Sequence, residues 1–225
     1  MNSVEQKQNI IMLKRIIFVA FAWLTCLSGQ AQLAVRDIFA AAPDSIFPLM
    51  TQNNRLDCLD FKENNMQARV KNLLDQYTEM TDLTRHYLRI QMTERSTVQM
   101  RLLSTTDSIF CLIRTYLGPK PDSRITFYRS DWTEIQLDAP QPEVEDFWSP
   151  VPDSLKQTAK FCQMSLRDLP LISIDANQDE DARLTYTLQT GELAEKEKKV
   201  AEEYTHPLLY RWNGKEFIAE NRKSQ

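Results

Sequence analysis

Tyr87-Leu88-Arg89-Ile90-Gln91-Met92 and Thr97-Val98-Gln99-Met100-Arg101-Leu102 decide the fold. In both, apolar and polar side chains alternate, the period of a strand with two unlike faces. Ser108 to Leu117 (SIFCLIRTYL) is nearly continuous in apolar character, as expected of a strand central in a sheet. Arg124 to Tyr128 alternates again, and Trp132 to Leu137 extends the pattern past a turn at Ser130-Asp131. These runs predict an antiparallel meander of four or five strands.

Upstream the period is helical. Asp37 to Ala42 reads as a short helix that reaches toward Met50 through a break at Pro43. Asn53/Asn54 offer a cap for a second helix from Arg55 to about Leu74, with Leu56, Leu59, Phe61, Met66, Val70, Leu73 and Leu74 at helical spacing. Downstream, Pro140, Pro142, Pro150 and Pro152 mark residues 139–152 as a linker. Asp153 or Ser154 caps a helix to about Leu166. Strands follow at Leu171–Ile174 and Arg183–Gln189, then a charged helix from Glu192 to Tyr204 with Glu192/Lys196 and Glu195/Lys199 at i,i+4 spacing. Pro207 to Trp212, Asn213-Gly214 and Lys215 to Ala219 read as a hairpin with a type I′ signal. Pro43-Asp44-Ser45, Pro121-Asp122-Ser123 and Pro152-Asp153-Ser154 mark element starts.

Both halves thus run from helix to alternating strands. Phe127-Tyr128-Arg129-Ser130-Asp131-Trp132 and Leu209-Tyr210-Arg211-Trp212-Asn213-Gly214 are similar phrases before turns. The expected fold class is α+β, with tandem helix-plus-antiparallel-meander units at 32–138 and 153–225. The alternative is one continuous antiparallel sheet with helices on one face.

Residues 1–31 read as an address. Lys14 and Arg15 precede the apolar run Ile16–Leu27, and Ser28-Gly29-Gln30-Ala31 supplies small residues before a cut after Ala31. Met12 offers a second start. The run is too short to cross a bilayer, which takes about 20 residues, and Trp23-Leu24-Thr25 is a poor leader for a lipid-anchored Cys26. The expected localisation is exported, periplasmic or secreted. Loss of Lys7, Lys14, Arg15 and Glu5 takes the formal charge from −4 to −6. An acidic surface without a Lys/Arg cluster excludes nucleic acid as a partner. Of the three remaining cysteines, Cys58 and Cys162 fall on helices and make the preferred pair if an oxidising compartment forms a bridge; otherwise all three are small buried hydrophobes.

Catalytic chemistry finds little material. Gly118, Gly191 and Gly214 form no phosphate-cradling run. His86 and His206 have no ligand at metal spacing. Asp175-Ala176-Asn177-Gln178-Asp179-Glu180-Asp181 begins like a calcium loop, but Glu180 stands where Gly belongs and Tyr186 where a bidentate Glu is needed, so it reads as a solvated turn. Trp132, Trp148 and Trp212 with Tyr128 and Tyr210 suit either a ligand platform or cross-strand packing. Glu143, Glu145 and Asp146 sit in the Pro-rich linker, where solvation accounts for them. No catalytic, cofactor-binding or metal-ligating residue is therefore assigned, and no cofactor is expected.

Asn53-Asn54-Arg55-Leu56-Asp57-Cys58-Leu59-Asp60-Phe61 resembles the opening signature of an uncharacterised, domain-of-unknown-function family of secreted proteins from gut Gram-negative bacteria. Asp37-Ile38-Phe39, Pro43-Asp44-Ser45, Asp131-Trp132 and Pro207–Trp212 fit it as well. The resemblance implies a stand-alone exported domain and supplies no activity. The element order also resembles periplasmic folds of the β-lactamase-inhibitor-protein type, which bind through a sheet face. The functional expectation is an exported, non-catalytic binding protein of the cell envelope whose partner is a protein, peptide or glycan. A carboxylate-based hydrolase acting on envelope or dietary glycan is the alternative.

Overall fold

The computed structural model describes residues 33–104, 107–191 and 193–220; the signal segment read at 1–31, and Glu192, lie outside them. The chain is α+β, built on two antiparallel sheets. Helices α1 (Val35–Ala40) and α2 (Gln52–Glu63) precede strands β1 (Arg69–Lys71), β2 (Tyr77–Leu83), β3 (Tyr87–Thr93), β4 (Ser96–Ser104), β5 (Ile109–Leu117), β6 (Pro121–Arg129) and β7 (Glu134–Ile135). These seven form one sheet in chain order. Two 3₁₀ turns (Val144–Phe147, Asp153–Leu155) lead to α3 (Lys156–Arg167), β8 (Ile172–Ala176), β9 (Arg183–Leu188), α4 (Glu195–Tyr204), β10 (Leu208–Trp212) and β11 (Phe217–Ala219). The second sheet has the order β11-β10-β9-β8.

The meander has seven strands because α2 is shorter than its apolar spacing predicts, which frees β1, and because Tyr77–Leu83, read as neither helix nor strand, forms β2. Thr51, not Asn53 or Asn54, is the cap, and Asn54 closes the capping box by accepting from the Thr51 N–H at 3.0 Å. The helix stops at Glu63, where the Asn64 side chain donates back to the Asp60 carbonyl and Asn65 turns left-handed at φ 55°. Val70 then pairs with Thr78 across a new hairpin, and Leu73 and Leu74 lie exposed at its turn. At the other end of the chain the β10–β11 hairpin forms, but only Gly214 there has positive φ, so the turn is not type I′. Instead Asn213 Oδ1 accepts from the Lys215 and Glu216 N–H groups at 2.9 Å each. Helix α4 pairs Lys198 with Glu202, not the expected Glu195 with Lys199.

Strand β5 is apolar on both faces because it serves two cores. Phe110 and Leu112 point toward α1 and α2, joining Phe39, Phe47, Leu59, Leu88 and Ile90. Cys111 and Ile113 point the other way, onto Leu184, Tyr186, Leu188, Val144 and Phe147. The first core holds an aromatic knot around Trp132, whose ring lies 4.9 Å from Phe110 and 5.9 Å from Phe47. Its Nε1 donates to the Ile38 carbonyl at 3.0 Å, tying the β6–β7 turn to α1.

The second sheet reaches the first through the open edge of β8. Alternate β8 N–H groups point away from β9, and each finds a side chain of the large sheet. Ile172 donates to Asp122 Oδ1 (3.2 Å), Ile174 to Ser123 Oγ (2.9 Å) and Ala176 to Gln99 Oε1 (3.0 Å). Gln99 Nε2 returns a bond to the Ile174 carbonyl at 3.3 Å, and Tyr87 Oη donates to Gln99 Oε1 at 3.1 Å. Gln99 is 1% exposed, so its amide cannot exchange these partners for water.

Gln99→Leu should therefore cost about 2–4 kcal/mol, since it orphans several buried groups at once. Ser123→Ala, which removes one acceptor, should cost about 1 kcal/mol. Urea unfolding of the two variants measures both; equal midpoints for Gln99→Leu and the parent would contradict the edge-docking account.

Candidate functional site

The aromatic residues do not form a platform. Trp132 and Tyr128 lie in the first core, while Trp212 packs edge-on against Phe217 and Tyr210 against Tyr186 in the second. Among the described residues Cys58, Cys111 and Cys162 are separate buried thiols, and the preferred Cys58–Cys162 bridge is absent. Cys58 lies under α2 against the Ala68 carbonyl, whereas Cys162 lies on α3 against the Glu197 carbonyl, in different layers of the protein. Burial pushes the Cys58 and Cys111 thiols up to about 12 and raises Cys162 as well, the opposite of what a nucleophilic or redox cysteine requires.

The loop that begins like a calcium site already faces a cation. The Arg101 guanidinium, fully buried on β4, donates to the Asp179 carbonyl and, at 2.9 Å, to that of Glu180. Its other amino group reaches the His86 carbonyl at 3.1 Å. Asn177 organises the turn from inside, donating to the Asp181 carbonyl and accepting from the Arg183 N–H. Among the described residues no three His, Cys, Asp or Glu side chains converge. His206 Nδ1 lies 3.2 Å from Ser149 Oγ. That contact sits within a backbone stitch in which Ser149 donates to Tyr204 and His206 to Phe147, so it fastens the linker to the end of α4.

Two surfaces remain. The first is the face of β1–β3 that the second sheet leaves uncovered. Its side chains are polar and of mixed sign: the Arg69 guanidinium stacks 4.0 Å over the Tyr77 ring, and Arg89 pairs with Asp175. A bulge between Met80 and Asp82 keeps Asp82 opposite Arg89, where its Oδ1 accepts from Gln178. Arg89 and Asp82 are thus engaged from the second layer, and Arg69 by Tyr77 beside it.

The second is a groove of about 510 Å³ along α3, lined by Val151, Lys156, Ala159, Lys160, Met164 and Arg167, with Gln163 and Glu145 completing it. Helix α3 turns Ala159, Cys162 and Leu166 into the protein and leaves Phe161 and Met164, one turn apart, 58% and 57% exposed. Arg167 pairs with Glu145 and Lys156 with Asp153, whereas Lys160 has no ion-pair partner among the described residues. Three cations meet one carboxylate in the groove of a chain whose formal charge is −4. The Arg167 hydrogen bond pulls the Glu145 carboxyl below its ordinary value, so Glu145 is poorly suited to act as an acid catalyst. The sequence offered one overlooked signal here: Phe161 and Met164 lie off the Ala159/Cys162/Leu166 stripe.

A family model described as "Protein of unknown function (DUF3256)" matches residues 26–217. The chain belongs to that family. A solved structure, a domain of an uncharacterized protein from Porphyromonas gingivalis W83, shares 28% identity over 84% of this chain and 98% of its own, at a TM-score of 0.70. No curated protein matches. The phrases that first suggested a family turn out to be scaffold. Arg55, 1% exposed, donates to Asp44 at 2.9 Å and to the Met50 carbonyl at 3.0 Å; Cys58, Leu59, Ile38, Phe39 and Trp132 fill the first core. In this DUF3256 chain those phrases therefore build the first core.

His86 offers a check on the Arg101 arrangement. Partial burial, then Arg101 and Arg85, lower its pKa against an opposing pull from Glu180. The neutral ring is favoured in the fold, so the stability it confers is complete above the ordinary value of about 6.5 and is lost as pH falls below it. NMR titration of the two histidines should place the His86 midpoint below 6.5, and Arg101→Met should move it upward; an unshifted His86 would remove the electrostatic link.

Proposed function

We propose that the chain is an exported, non-catalytic binding protein of the cell envelope that takes hold of a partner protein through the α3 groove. Export rests on the leader-like pattern of Lys14 to Ala31. Among the described residues no helix is long and apolar enough to cross a membrane, which is compatible with this reading.

The observation that carries the proposal is exposed Met164 inside a cationic groove on an acidic chain, with exposed Phe161 one turn away on the same helix. Large apolar side chains next to unpaired charge on a concave surface are the makings of a contact centre, since an anchor can desolvate there while charge sets orientation. Expectation had placed the contact on a wet sheet face. The open face of β1–β3 is less suitable, because Arg89 and Asp82 on it are already engaged by Asp175 and Gln178 of the second layer and Arg69 by Tyr77.

The groove favours binding over a carboxylate hydrolase. A glycosidase needs two carboxyl groups flanking the bond, one of them with a raised pKa. Glu145 is the groove's one carboxylate, and its ion pair works in the other direction.

A photo-crosslinker placed at Gln163 should trap a partner from envelope extract. The double variant Lys160→Glu/Met164→Asp should lower capture at least tenfold, about 1.4 kcal/mol. Both positions are exposed, so unfolding stability should stay within about 0.5 kcal/mol of the parent. Undiminished capture by the double variant would refute the groove as the contact, and a glycan that binds with no protein trapped would redirect the assignment to sugar.

A further inference from the structure

A second recess, of about 170 Å³, opens on the opposite layer, where the chain before α2 crosses the ends of β4 and β5. Its apolar lining includes Phe47, Leu49, Met92 and Val98, with Tyr116 exposed beside them. Arg114 lines the same recess and uses one amino group on the Ile46 carbonyl at 3.1 Å. Directly across the ladder from Arg114 stands Arg124. Among the described residues neither arginine forms an ion pair. Like charges facing each other across a strand pair are destabilising. Here Arg114 lines an apolar hollow with most of its N–H donors uncommitted, and Arg124 stands beside it on the next strand.

We infer that this recess binds a small amphiphilic carboxylate of the medium-chain fatty acid class, with its head on Arg114 and Arg124 and its tail against Phe47, Leu49, Met92 and Val98. A guanidinium holds a carboxylate through two parallel bonds, which relieves the arginine pair's repulsion. The size sets the tail: 170 Å³ is the room of roughly six water-sized groups. A chain of six to eight carbons fits, and a phospholipid with two long tails does not. The site is independent of the α3 groove.

The test follows methionine methyl signals of the purified protein during titration with sodium octanoate, octanol and sodium acetate, and separately with phosphatidylglycerol vesicles. Met92 marks the recess and Met164 the α3 groove, so the two proposals succeed or fail separately in one spectrum. Octanoate should shift Met92 saturably and leave Met164 still. Octanol and acetate should bind at least tenfold more weakly, since each lacks half of the recognition. Arg114→Gln should weaken octanoate at least fivefold with the melting temperature unchanged; should that variant not fold, exposed Arg124→Gln gives the same readout. An unmoved Met92, equal binding of octanol, or full affinity in Arg124→Gln would overturn the inference, as would binding to vesicles without binding to octanoate.

Discussion

Everything in the second half of the chain hangs on the unpaired edge of β8. A strand edge exposes a row of unsatisfied N–H and C=O groups, which proteins commonly shield with charge or cover with another element. Here the edge is set down on the face of another sheet, and Asp122, Ser123 and Gln99 take up the N–H groups that a neighbouring strand would have paired. The arrangement is specific in register. A slip of one residue along β8 would present the N–H groups of Ser173 and Asp175, already committed to β9, and would turn Ile174 out of the second core. Arg101 fixes the far end by gathering the carbonyls of the following loop.

This anchoring determines which surfaces exist. Because β8 lands on β4, β5 and β6, the second layer covers that half of the large sheet and reaches β2 and β3 only through Gln178 and Asp175. The segment after β7 must travel around the second core, burying Val144 and Phe147 on the way, before α3 can start. Its residues Glu145 and Val151 then form one side of the groove that α3 completes. The groove is a by-product of how the linker reaches the second layer, and so it is built from elements distant from the first core.

Strand periodicity read well in the sequence, and the identity of what covers a polar face did not. Arg89, Gln99 and Arg101 alternate with apolar residues as a solvent-facing row would, yet Gln99 and Arg101 are buried. Alternation distinguishes apolar from polar surroundings; it cannot separate water from another strand's hydrogen-bonding edge. The α2 boundary was obscured for a different reason. Val70, Leu73 and Leu74 continued a helical spacing, and the break depends on Asn65 adopting a left-handed backbone, which Asn tolerates without requiring. The candidate site was less legible still. Phe161 and Met164 could have been picked out on a helical wheel, but the facing of Arg114 and Arg124 follows from a register that no local pattern specifies.

Both proposed sites place cations on a chain with an acidic balance, and the range of electrostatics decides how they can work. At physiological salt a charge is screened over about 8 Å, so an approaching anionic group senses the acidic bulk of the surface before it senses Lys160 or Arg114. Long-range steering toward either site is therefore weak or adverse. Attraction begins only when the ligand is already at the rim, where partial desolvation strengthens each contact. In both proposals an apolar anchor is then a requirement and not an accessory: Met164 at one site, and Met92 and Val98 at the other, would hold the proposed ligand while the charges engage. Selectivity follows from the same geometry. On both proposals a purely anionic ligand would gain little, a purely apolar one would gain no orientation, and a molecule carrying both features at matching distance would satisfy the surface.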